Sequence, residues 1–441
     1  AMTLPLLLAA LAAAESVATP PRTPSIPFTK YELPNGLDVT LAPDHSVPFA
    51  CVNVWYNVGS KDETPGRSGF AHLFEHLMFN GSKHHDDEFF KPLQPLGARL
   101  NGSTNLDRTN YYECLPAEQL PLAMFLEADR MGWLLPALTG EKLANQKEVV
   151  RNERRQNYDN RPYGTAWLSL LKNTFPAGHP YHIATIGLHE EIDAATLDDV
   201  KAFFTKWYLP NNASLVITGD FEDATARALV DQYFAPVPRG PDPERTPPAP
   251  ARFEREVQVR VAEEVPFEQV WMVWHTPALF APGDAELDLL SSALGDGKES
   301  PLYQSLVIEK KLAQDVSIRQ NSLAYQSFLV INATASTGHT AAEIVAAVDE
   351  VLAAARERGV SANDLAVGLT NYEVGFFANI TTIQGKADLL NNYNTRTADP
   401  GYLGKDLARY RAATPEAVNA AFREWIVPDR RLVLVYGPEA Q

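Results

Sequence analysis

Two histidines and a glutamate between Ser68 and Gly81 carry the strongest chemical signal in the chain. On a helix, His72 and His76 are four residues apart and project from one face, so two imidazoles can reach one metal ion. Glu75 stands three residues after His72 on the same face, beside the metal, where it can take a proton from an attacking water. Leu73, Phe74 and Leu77 fall on the opposite, buried flank. The same residues could make only ordinary contacts between successive helical turns, so the pattern needs a third ligand to become a site. Downstream, a helix over 140–157 offers Glu141, Glu148 and Glu153, and spacing alone leaves all three open.

These groups must be held by a scaffold, and the chain builds its scaffold twice. The segment from Thr196 to Gly219 matches the segment from Thr414 to Gly437 at an offset of 218 (414 − 196). Thr196/Thr414, Val200/Val418, Phe204/Phe422, Trp207/Trp425 and Pro210/Pro428 all obey it, and so do Val47-Pro48-Phe49 and Val265-Pro266-Phe267 far upstream. We read an α+β protein of two tandem homologous domains, 28–235 and 254–441, each a mainly antiparallel sheet covered by helices. The Pro-rich run 236–253 joins them, because successive prolines cannot donate to helix or sheet. Thr196 caps an amphipathic helix, residues 49–55 form a strand apolar on both faces, and longer helices are expected over 116–135, 140–157 and 340–358. Ser68 is expected to cap the metal-binding helix and Gly81 to end it.

His72-Leu-Phe-Glu75-His76, followed by Glu153 in an Arg-Asn-Glu run, resembles the inverted-motif zinc peptidases, the family of pitrilysin and the mitochondrial processing peptidase. The resemblance spans the chain after residue 28. It implies one Zn2+ per chain held by His72, His76 and Glu153, Glu75 as general base, and a fold forming half of a clamshell chamber. Where the family has a further glutamate seven residues before the third ligand, this chain has Gln146; Glu148 becomes a candidate for orienting a ligand histidine. The resemblance also implies that Asn101, Gly102 and Ser103 lie on an edge strand that pairs with substrate backbone.

The second copy departs from that pattern. The offset sets Leu290, Ala293 and Leu294 opposite His72, Glu75 and His76, so it holds no second metal site. The family's substrate-binding Arg and Tyr positions hold Val307 and Gln314. Valine has no donor at all, so neither polarises a carbonyl as the pair does. The expected enzyme is therefore a zinc endopeptidase of peptides or unfolded polypeptides, one subunit of a heterodimer whose paralogous partner lacks the zinc motif and supplies Arg and Tyr. A homodimer, a non-catalytic assembly or peptide-binding subunit, and a dedicated processing peptidase are the alternatives.

Composition narrows the setting. With 38 Lys+Arg against 55 Asp+Glu, the net charge of −17 argues against nucleic-acid partners and against a polybasic membrane anchor. No apolar run is long enough to span a bilayer. Residues 1–27 read as an export-signal-like segment, which places the chain in the periplasm or otherwise outside the cytoplasm, with the cytoplasm as alternative. Two cysteines, Cys51 and Cys114, rule out a thiolate zinc knuckle; they are expected as free buried thiols, able to pair only if export is right. His84-His85 read as surface loop, and His179 and His182 as loop histidines satisfied in a turn.

Overall fold

The computed structural model describes residues 23–438; residues 1–22, which carry most of the export-signal reading, lie outside them. The first sheet contains β1 (Thr29–Glu32), β2 (Asp38–Pro43), β3 (Phe49–Tyr56), β4 (Arg99–Thr104), β5 (Thr109–Pro116) and β6 (Ala213–Gly219), in the order β1-β2-β6-β3-β5-β4. The second contains β7 (Val257–Ala262), β8 (Gln269–Thr276), β9 (Ala313–Asn321), β10 (Ser327–Ala335) and β11 (Leu432–Gly437), in the order β7-β11-β8-β10-β9. Without β1 the two orders are identical, and in each only the first of the remaining pairs is parallel. The internal repeat is thus visible as topology. Thr196 and Thr414 cap equivalent helices, Leu197–Trp207 and Pro415–Trp425, by accepting from the amides of Asp199 and Ala417. No described helix is long and apolar enough to cross a membrane.

The helices do not sort as the strands do. Helix Ala166–Thr174 packs on β8 and β11 of the second sheet, where Thr165 Oγ1 and Ser169 Oγ lie 3.0 and 2.7 Å from the Tyr436 hydroxyl. Helix Ile383–Thr397 packs on β3 and β6 of the first sheet, where Asn391 Nδ2 donates to the Asn53 carbonyl at 2.9 Å and Asn394 Nδ2 to Ser214 Oγ at 2.8 Å. Adding 218 to residues 166–174 gives 384–392, so the exchanged helices are the same element of the repeat. The Pro-rich run is extended but not free. Arg245 Nε reaches Asp62 at 2.8 Å, and the Gln326 side chain bonds both the N–H and the C=O of Ala251 at 2.7 Å.

Cys51 and Cys114 are not free thiols. They face each other in the β3–β5 register, Cα atoms 4.1 Å apart, and form a disulfide. Antiparallel pairing brings together two residues that are 63 apart in sequence.

Near the exchanged helix, His179 and His275 are both buried against Phe175, with ring centroids 4.5 and 5.6 Å from it. His275 Nε2 donates to the Thr174 carbonyl at 2.8 Å, and His179 Nδ1 accepts from the Tyr181 amide at 3.1 Å. Each remaining ring nitrogen is buried without a partner. Burial pulls both rings down to about 4, helped by His182 beside His179 and by His179 and Arg252 beside His275. The folded state therefore binds fewer protons than the unfolded chain below pH 6.5, and stability falls as pH drops toward 4. The loss reaches about 3 kcal/mol for His275 and is smaller for the less enclosed His179. Urea unfolding at pH 7 and 4.5 should show a smaller loss for His275→Gln than for the parent; equal slopes would remove His275 as the cause.

Candidate metal centre

The helix that carries His72, Glu75 and His76 spans Phe70–Leu77 and is shorter than its sequence signals suggest. Ser68 does not cap it: its hydroxyl accepts from the Leu188 amide instead. Glu63 takes that role, its two oxygens accepting from the amides of Gly69 and Ala71 at 3.0 and 2.9 Å. Gly69 has φ 84°, and a Cβ there would lie 2.6 Å from Ile192, so this entry turn needs glycine. The helix stops at Leu77, four residues before Gly81, and Asn80 Nδ2 closes it on the His76 carbonyl at 2.8 Å.

One face of the helix is buried through Leu73, Phe74 and Leu77, and the other turns His72, Glu75 and His76 into a cleft of about 390 Å³. Helix Gly140–Arg154 crosses it and brings in Glu153. His72 Nε2 and His76 Nε2 lie 3.3 Å apart, and each lies 3.4 Å from the same Glu153 oxygen. Among the described residues, these three form the one group of His, Cys, Asp or Glu side chains able to hold a metal ion. Ligands about 2.0–2.1 Å from a tetrahedral zinc lie about 3.3–3.4 Å from one another, which is the size of this triangle. The two imidazoles bonded to Glu153 hold its carboxyl well below the usual carboxylate range, in the ionised form a cation needs.

Of the three open glutamates, only Glu153 joins the histidines. Glu148 does not reach either histidine: it is exposed, its oxygens 3.4 and 3.5 Å from Arg151 and Arg155, and His72 Nδ1 is left without a protein partner. Five residues before Glu153 is about 140° around the helix, on its far side. Gln146, seven residues before, is nearly in line with Glu153; it lines the cleft and donates to Asn80 Oδ1 at 3.2 Å. Asn80, four residues after His76 and not singled out in the sequence, forms with Gln146 a polar wall of the cleft.

Strand β4 is the outermost strand of the first sheet and has β5 on one side only. Asn101 lines the cleft. A Cβ on Gly102 would press within 3.0–3.1 Å of the Tyr111 and Phe79 rings, so glycine lets β4 lie close over them. Ser103 Oγ donates to Asn110 Oδ1 at 2.6 Å. In the second half, Leu290, Ala293 and Leu294 sit on helix Asp284–Gly295. Val307 packs, half-buried, against apolar residues of the second half, and Gln314 Nε2 donates to the Ala335 carbonyl at 2.7 Å.

Two family models match the chain, one described as insulinase (peptidase family M16) over residues 38–186 and one as the peptidase M16 inactive domain over residues 194–372. Both halves of the chain thus match models of peptidase family M16. The zinc protease PqqE of Helicobacter pylori is 29% identical over 367 residues, covering 82% of each chain. The crystal structure of a protease from Helicobacter pylori superposes with a TM-score of 0.85 at 26% identity, covering 93% of this chain and all of that one. The periplasmic protease PqqL from Escherichia coli shares the fold at 17% identity and a TM-score of 0.76; the match takes 94% of this chain but 48% of that one. The M16 fold is thus present here as the two-domain, clamshell-type arrangement, in a chain that matches half of the longer relative.

Proposed function

We propose that this chain is the zinc-bearing subunit of a two-chain endopeptidase that hydrolyses peptides or unfolded polypeptides. The observation that carries the reading is the near-equilateral triangle of His72, His76 and Glu153, with Glu75 on the wall of the same cleft. A zinc ion held there would supply Lewis acidity toward a water and the scissile carbonyl. Glu75 accepts the proton of that water and returns it to the leaving amine. The open edge of β4 offers main-chain groups to an extended peptide beside Asn101, so affinity need not depend on side-chain identity.

The two-chain part rests on the second half. Val307 and Gln314 leave the carbonyl-binding positions without Arg and Tyr, so a paralogous subunit supplies them. Export is supported by the Cys51–Cys114 disulfide, which needs an oxidising compartment. Purified alone and loaded with zinc, the chain should cleave peptides about 100-fold less efficiently than with a homologous subunit carrying the Arg/Tyr pair. Full activity in isolation would remove the partner and leave the peptidase. Zinc bound with no hydrolysis in either form would favour the non-catalytic alternative.

A further inference from the structure

The tip of the β4–β5 hairpin, Asn105–Arg108, holds two adjacent charges that face different ways. Asp107 is buried at 2% exposure, and both its oxygens are engaged. Oδ2 accepts from the Ala324 amide at 2.9 Å and pairs with Arg396 Nη2 at 3.1 Å. Oδ1 accepts from the Tyr181 hydroxyl at 2.5 Å, and that hydroxyl in turn accepts from the Tyr325 amide at 3.0 Å. Ala324 and Tyr325 belong to the β9–β10 turn and Arg396 to the exchanged helix Ile383–Thr397, so every side-chain contact of Asp107 reaches the second half directly or through one tyrosine. The Asp107 carbonyl also accepts from Lys61 Nζ at 3.0 Å, on the loop that leads into the metal-binding helix.

Arg108 reaches the other way. Its Nη1 donates to the Ser103 carbonyl at 2.8 Å and to Ser103 Oγ at 2.7 Å, bracing β4 from within the hairpin. The tip is also held from below. Gly59 lies so close beneath it that a Cβ would come within 2.6 Å of the backbone of Asn105, Leu106 and Asp107, and the amides of Ser60 and Lys61 donate to the Asn105 and Leu106 carbonyls. The outer edge of β4, by contrast, has no strand to hold it in place.

We propose that Asp107 is a positioning residue for substrate binding: through it, the second half sets the height and tilt of β4 against the metal cleft. The inference rests on the reading of β4 as the strand that pairs with peptide. A shift of the hairpin tip moves Asn101–Ser103 relative to His72 and His76 without touching the ligands themselves. Long peptides that lie along β4 then bind less well, while short ones confined to the metal cleft do not notice.

The test is equilibrium binding of fluorescent peptides to the full, zinc-loaded chain in a Glu75→Gln background, so that turnover is not needed. Asp107→Asn should weaken a ten-residue peptide about tenfold and a tripeptide less than twofold, with zinc content unchanged. In the active enzyme the same variant should raise KM and leave kcat nearly constant. Tyr181→Phe removes one donor from the carboxylate and should give a smaller shift of the same kind; it also serves if Asp107→Asn does not fold. Equal effects on both peptide lengths, or none in folded and zinc-loaded variants, would overturn the inference while leaving the peptidase reading intact. Absence of peptide binding in the Glu75→Gln chain, together with absence of hydrolysis in its parent, would overturn both.

Discussion

Glu75→Gln is expected to lower kcat for peptide hydrolysis by at least about 10³-fold while the chain still binds zinc. The amide has the shape and nearly the volume of the carboxylate, so the helix Phe70–Leu77 and its buried flank of Leu73, Phe74 and Leu77 should be undisturbed. What it loses is basicity: the neutral amide cannot take a proton from the attacking water or give one to the leaving amine. Glu75 is no member of the triangle of His72, His76 and Glu153, so metal content should be unchanged. Metal analysis and steady-state kinetics on the same preparation decide the matter, and residual activity within tenfold of the parent would reject Glu75 as the base.

Glu153→Gln should do the reverse, removing the metal first and activity with it. The carboxylate is the anionic member of the triangle, and its oxygen lies 3.4 Å from both imidazoles. An amide offers one weak carbonyl ligand and no charge to a divalent cation. Loss of groups that merely orient ligands costs about 10–100-fold in affinity, so loss of a ligand should cost at least about 100-fold. Glutamine is as good a helix former as glutamate, so helix Gly140–Arg154 should persist. Competition with a chromophoric chelator measures the affinity. Glu148→Gln is the matched control on the same helix and should bind zinc as the parent does; equal affinities for all three chains would dismiss Glu153 as a ligand.

The sequence carried the parts of the site that obey helix periodicity. His72, Glu75 and His76 could be set on one face because a single helix joins them, and the repeat at offset 218 reappears as two sheets of one strand order. Choosing Glu153 needed the crossing of two helices, which no spacing records; it came from the family resemblance. Glu148 misled because closeness in sequence to the third ligand is not closeness on the helix surface. The cap supplied by Glu63 in place of Ser68 depends on a loop folding back over the helix start, and the Cys51–Cys114 bond depends on the register of β3 with β5. The helix exchange left no mark in the pattern, because an amphipathic helix covers its own sheet or a copy of that sheet equally well.

That exchange limits how the molecule can move. A hinged clamp closes by rotating two bodies about a flexible strap, and the Pro-rich run looks like such a strap in sequence. Here rotation would drag helix Ala166–Thr174 off β8 and β11 and helix Ile383–Thr397 off β3 and β6, stripping apolar faces on both sides at once. The extended run is itself fastened at Arg245 and Ala251. This chain is one stiff jaw. In the proposed two-chain enzyme, the seam that opens to admit a polypeptide therefore lies between the chains and not within this one.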